Sequence, residues 1–249
     1  MIGLRRGTLI VAVLTDEGLL VAADTRYSLL APGAGVERQR KLRPVARPPS
    51  TVLCVAGVDR IVRVPGVVRA GWTPGPADVL LDFAEVAVAR LPEAADDLTE
   101  DWLSRTALEC ARRFNDDPRI QRRPVSPSPD QPFTELILAT GGQGARSARL
   151  AVAGLYPGGP GAGLSRASAD ILELTRVGEP HFFGDVPFLE REMPDDFARC
   201  RALLSTPRLS RDAAVSAFAT LVDAAEAMPG STIGAPTDAV LIESRLTGR

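Results

Sequence analysis

The chain has 249 residues, 45% of them hydrophobic and 24% charged, enough to bury a full core as one domain or two small ones. That balance excludes a disordered or collagen-like chain. With 29 basic against 31 acidic residues the formal charge is -2, so no global positive excess exists to hold a polyanion, and nucleic acid is excluded as the main partner.

Cys54, Cys110 and Cys200 are an odd number at wide spacing, offering neither a disulfide framework nor a zinc pattern. A reducing cytoplasm is the expected compartment. No apolar run approaches the ~20 residues of a spanning helix, and the opening seven residues lack the apolar stretch of a signal peptide, so no membrane partner is expected. Of the 29 basic residues 28 are arginine and one is Lys41. A position that tolerates either cation is therefore expected to read arginine.

Residues 8–14 form an apolar, β-branched run, Asp16-Glu17-Gly18 supplies turn chemistry, and 19–23 are apolar again before an abrupt Asp24-Thr25-Arg26. This predicts a hairpin, and strands apolar on both faces predict that it is central. A loop with Pro32-Gly33-Ala34-Gly35 leads to a short strand over 41–45 and a stronger one over 51–56, ending at Gly57. Apolar periodicity predicts helices over 77–91 and 98–114, the latter facing Leu103, Ala107, Cys110, Ala111 and Phe114 inward. Residues 115–133 are rich in proline and arginine, a surface loop. Strands follow over 134–139, 148–155 and 171–176, then a helical stretch over 195–204 and a helix capped by Ser210 and stopped by Pro229-Gly230. A strand over 238–243 ends the order. Such blocks predict a layered α+β architecture of antiparallel sheets faced by helices.

Most chemical candidates have a simpler structural explanation. The glycine run over 158–163 lacks a following Lys-Ser/Thr and is expected to be a turn. A single histidine, His181, rules out a multi-histidine metal site within one chain, and no Gly-x-Ser-x-Gly elbow accompanies it. Asp96-Asp97, Asp116-Asp117 and Asp195-Asp196 each adjoin a predicted helix end, where side-chain oxygens cap backbone amides.

The first 57 residues are more specific. Gly7-Thr8 opening a strand, Gly18 in the turn, Ala22-Ala23-Asp24-Thr25-Arg26 closing the second strand, Arg40-Lys41-Leu42 and Val55-Ala56-Gly57 together resemble a proteasome β-type subunit. The resemblance implies the N-terminal nucleophile hydrolase fold, a four-layer αββα sandwich of two antiparallel sheets between helical layers. It divides the chain into a candidate propeptide, 1–7, and one domain over 8–249. It further implies a threonine-type peptidase or amidase, self-processed between Gly7 and Thr8, in a homo-oligomeric ring acting on peptide or unfolded protein, with no cofactor or metal. Whether an ATPase partner exists is not implied.

Carried over residue by residue, Thr8 is the nucleophile and its freed α-amine the base, Lys41 lowers the proton affinity around the hydroxyl, and Asp24 orients Lys41. The Gly57 amide stabilises the oxyanion, Arg26 is a buried ion-pair support, and Val55 with Asp59 lies near the pocket for the residue preceding the cut. Asp24 falls sixteen residues after Thr8, as the resemblance requires, and Lys41 lies one residue beyond ungapped spacing. The family's late Asp-x-x-Ser-Gly-Gly is replaced by Gly230-Ser231-Thr232-Ile233-Gly234-Ala235. The aspartate is missing, and Ser231 or Thr232 is expected to supply part of the amine positioning. The alternative is an unprocessed, inactive proteasome-like structural or interaction subunit.

Overall fold

The computed structural model describes residues 2–6, 8–29, 36–48, 50–66, 71–120, 131–141, 147–158 and 163–243. Gly7, the loop at 32–35 and residues 121–130 of the proline-rich loop lie outside these.

The predicted hairpin forms as β2 (Leu9–Thr15) and β3 (Gly18–Asp24), after a further strand, β1 (Ile2–Arg6). Then come β4 (Arg26–Leu29), β5 (Val36–Arg38), β6 (Arg43–Val45), the long β7 (Thr51–Arg63) and β8 (Val79–Asp82). Helices α1 (Phe83–Val88) and α2 (Glu100–Asp116) precede β9 (Thr134–Gly141), β10 (Ala148–Pro157), β11 (Leu164–Leu174) and β12 (His181–Gly184). Helices α3 (Val186–Glu192), α4 (Pro194–Leu204) and α5 (Arg211–Glu226) lead to β13 (Thr237–Glu243).

Among the described residues the strands make two antiparallel sheets. One has four strands in the order β12-β2-β3-β13; the other has nine, with β11-β10-β9-β7-β1-β4-β5 in a path and β6 and β8 also paired to β7. Every residue of β2 and β3 is buried, because each face of the hairpin meets a different layer. Leu9, Val11 and Val13 face Phe197 of α4 and Phe218 and Val222 of α5. Ile10, Ala12 and Leu14 face Val52, Cys54 and Ala56 of β7 and Ile137 of β9 in the other sheet. The far side of β7, with Leu53 and Val55, packs under Phe83 of α1 and Leu103 and Phe114 of α2. The result is the helix–sheet–sheet–helix sandwich that the resemblance implies. Each large side chain so enclosed contributes roughly 1.5–3 kcal/mol.

Several local expectations are corrected. Residues 77–91 do not form one helix. Val79–Asp82 is a strand paired with β7, preceded by a short 3-10 turn over Pro76–Asp78, and only Phe83–Val88 is α-helical, opening where the Asp82 carboxylate accepts from the Glu85 amide. Likewise, β7 does not end at Gly57. It runs on to Arg63, and Gly57, at φ +76°, is where it exchanges β9 for β1 as its neighbour. A Cβ there would lie 2.7 Å from the Phe133 carbonyl oxygen, so the crossing needs glycine. The short third strand starts at Arg43, leaving Lys41 just before it.

Candidate active site

Thr8 stands at the junction of β1 and β2 and is only 1% exposed. Its carbonyl is held by the end of β12, where the Asp185 amide donates to the Thr8 oxygen at 3.0 Å. Gly184, at φ +91°, makes this approach possible, since a Cβ there would lie 2.1 Å from that oxygen.

Asp24 ends β3 and gathers four donors. Its Oδ1 accepts from the Leu9 amide at 2.7 Å and from Lys41 Nζ at 2.8 Å; its Oδ2 accepts from the Arg26 and Gly234 amides, each at 3.2 Å. The carboxylate therefore ties the residue after Thr8 to the lysine, to β4 and to the late loop at once. The Asp24 and Lys41 side chains are both wholly buried. Burial pushes the Asp24 carboxyl above its usual range, and the Lys41 charge with the Leu9 and Gly234 amides pulls it only part of the way back. The Lys41 ammonium also lies 4.5 Å from the centre of the Tyr27 ring.

A cleft of about 280 Å³ opens beside Thr8, lined also by Gly57, Glu135, Gly184, Asp185 and Thr232. Glu135, in β9, accepts from the Gly184 amide at 3.1 Å, and burial pushes its carboxyl up. Asp185 Oδ2 accepts a hydrogen bond from the Thr232 hydroxyl. Ser231 does not line the cleft; its hydroxyl donates to the Ile233 carbonyl at 3.2 Å and accepts from the Ile233 amide at 3.1 Å.

The remaining sequence candidates are distributed around this centre. Arg26 serves Asp24 through its main chain; among the described residues its side chain makes no ion pair to Asp24, and Nε is buried without a hydrogen-bond partner. Its side chain packs instead over Gly234 and contributes positive charge near Glu226. Val55 and Asp59 are 4% and 2% exposed, outside the cleft lining. Asp59 is the extra residue of a bulge, since Arg5 faces Arg60 and Arg6 faces Val58. His181 is half-buried opposite Ala12, and its Nε2 has no hydrogen-bond partner among the described residues. Burial pushes each cysteine thiol up to about 12, which leaves the three without thiolate character.

Sequence reasoning missed Glu135 and Asp185. Glu135 left a signal, a lone carboxylate inside an apolar strand run. Asp185 left none, since its relevance comes from chain segments far from it in sequence.

No family model matches this sequence, and no curated protein matches it. Among solved structures it is similar to Anbu, an ancestral β-subunit, from Yersinia bercovieri, with a TM-score of 0.50 and 16% identity over 94% of this chain and 81% of that one. It is also similar to the Gly-1 mutant of Anbu from Hyphomicrobium sp. strain MC1 (TM-score 0.47, 19% identity, 95% and 82% covered). A helical assembly of the Anbu complex from Pseudomonas aeruginosa gives 0.47 and 14%, with 94% and 81% covered. At such identity the Yersinia likeness establishes fold alone. The chain has the layered α+β fold of the N-terminal nucleophile hydrolases. That is the fold it shares with this ancestral β-subunit.

Proposed function

We propose that the chain is a threonine-type N-terminal nucleophile hydrolase that cuts its own Gly7–Thr8 bond and then hydrolyses peptide or amide bonds. The observation that carries this reading is the fully buried Lys41–Asp24 pair at 2.8 Å, coupled through Asp24 to the Leu9 amide. A buried ion pair fixed to the main chain of the residue after Thr8 is costly as structure and useful as chemistry.

Cleavage would free the Thr8 α-amine, with a reference pKa near 8, to take the proton from Oγ directly or through a water. Oγ then attacks the substrate carbonyl, and the tetrahedral oxyanion is stabilised by the Gly57 amide and the nearby Lys41 charge. Collapse expels the leaving amine, which takes the proton back. Water, activated by the same α-amine, hydrolyses the acyl-threonine ester and restores Thr8.

The strand preceding Thr8 supports an extended peptide as substrate. β1 is paired along Arg5 and Arg6 with β4 and from Ile2 to Arg6 with β7, so a chain segment of that length fits between them. Val55 and the bulged Asp59 are the proposed pocket residues for the position preceding the cut. A homo-oligomeric ring and a cytoplasmic location belong to the same reading.

One observation favours the second reading, an unprocessed structural subunit. β1 is paired on both edges within the larger sheet, so residues 2–6 are an integral strand of the uncut chain.

Intact mass separates the two. The purified protein should lack residues 1–7, Thr8→Ala should keep them and hydrolyse nothing, and Thr8→Ser should retain part of both reactions. An active preparation that keeps residues 1–7 would remove the N-terminal nucleophile mechanism.

A further inference from the structure

The loop over 230–235 contains no acidic residue. The structure nevertheless places a carboxylate there, from an element 47 residues earlier in the chain. Asp185 is bound to Thr8 through its own amide, which donates to the Thr8 carbonyl at 3.0 Å, and its Oδ2 accepts from the hydroxyl of Thr232. Asp185 and Thr232 line the same cleft as Thr8, while Ser231 is engaged with Ile233. The main chain of Asp185 is thus fixed against Thr8 at the end of β12, and its carboxylate is held by the loop after α5.

We propose that Asp185, held by Thr232, is the positioning residue that accepts a hydrogen bond from the Thr8 α-amine once the chain is cut. This rests on the reading above that Thr8 becomes an N-terminus. A free amine that is to act as a base must aim its lone pair at the hydroxyl proton, so its own N–H groups need acceptors elsewhere. A carboxylate only accepts, and its several lone-pair sites accommodate an amine beside the Thr232 hydroxyl. The other charged groups around this cleft are Glu135, bonded to the Gly184 amide, Arg191, bonded to Glu192, and the Lys41–Asp24 pair behind the Leu9 amide.

The experiment compares wild type, Asp185→Asn and Thr232→Val by intact mass, thermal midpoint, and turnover of a fluorogenic peptide amide across pH. The amine does not exist before the cut, so both variants should still lose residues 1–7. In Asp185→Asn the negative charge that favours the ammonium is gone, so the acid limb of kcat/KM should move down by about 1 pH unit. Its kcat should fall by about 10²-fold, with KM little changed, because orientation is lost. Thr232→Val keeps the carboxylate but frees its rotamer, so kcat should fall while the acid limb stays at or above the wild-type pH. A packing role alone would lower thermal midpoint and leave both limbs in place.

An Asp185→Asn enzyme with an unchanged acid limb overturns the proposal, as does one that remains uncut, which would assign Asp185 to the cutting step. Either result, with wild type cut and active, leaves the threonine-hydrolase reading standing. A wild type that is neither cut nor active removes that reading and this inference with it. If Asp185→Asn does not fold, Thr232→Val decides: a wild-type kcat in that variant overturns the proposal.

Discussion

At the scale of single residues, Lys41 is the position where sequence and structure bear hardest on each other. In a chain of 28 arginines, one lysine sits where its side chain is wholly buried against Asp24 and close to the Tyr27 ring. An ammonium is compact and can stand beside a hydroxyl as a point charge, whereas a guanidinium is planar, larger and effectively never gives up its proton. Lys41→Arg keeps the charge that Asp24 needs, so the chain should fold, with an overpacking cost of about 1–3 kcal/mol. Turnover should drop by ~10²–10⁴ for lost proton handling. Lys41→Ala should cost more stability, about 3–5 kcal/mol, because it leaves Asp24 buried without its cation. Turnover and thermal midpoint measured side by side test this. An Arg variant with wild-type turnover would reduce Lys41 to an ion-pair partner and strengthen the structural-subunit reading.

At the scale of elements, the segment over 79–88 shows how pairing overrides periodicity. Its apolar spacing predicts helix, yet β7 beyond Gly57 presents an open edge, and Val79–Asp82 pairs with it before α1 begins. Asp82 sets that switch. Its side chain is almost fully buried, caps α1 through the Glu85 amide at 3.1 Å, and pairs with Arg60 of β7 and with Arg43 of β6 at 3.3 Å. Burial opposes the charged form, but Arg43, Arg60 and the Glu85 amide outweigh it and hold the carboxyl below its usual range. Because the folded state lowers this group, its contribution is present above pH 3.8 and is lost as pH falls through the lower folded value. Asp82→Asn should therefore destabilise by about 1–3 kcal/mol at pH 7, with the gap narrowing in strong acid. Urea unfolding at pH 7 and again below pH 3 reads the gap. If it stays constant, the carboxylate charge is not what joins these elements.

At the scale of the whole molecule, two helical layers enclose two sheets and leave their outer helix faces to solvent. Leu108 on α2 and Leu203 on α4 are large apolar side chains at 55% and 53% exposure, one on each outer layer. Together with the homo-oligomer that the N-terminal resemblance implies, these faces lead us to expect an assembly larger than one 26.4 kDa chain. Light scattering across concentration tests it. A monomer throughout would set aside the ring and leave a stand-alone amidase as the form of the proposed enzyme.

What the sequence determined by itself is whatever depends on neighbours along the chain. The two-sided apolar runs of β2 and β3 announce strands covered on both faces, and the spacing of Leu103, Ala107, Cys110 and Phe114 announces the buried side of α2. Ser210 announces a helix start and does accept from the Ala213 amide. The order of Thr8, Asp24, Lys41 and Gly57 was picked out through the resemblance to proteasome β-type subunits. Tertiary structure alone decided the rest. β1, β8 and β12 are four or five residues long, too short for a periodic signal, and exist because longer strands offer them an edge. The Asp24 carboxylate acquires the Gly234 amide from 210 residues away, and Asp185 acquires Thr232 from 47 away. Such contacts depend on how the strands are layered, and no window of local sequence contains both partners.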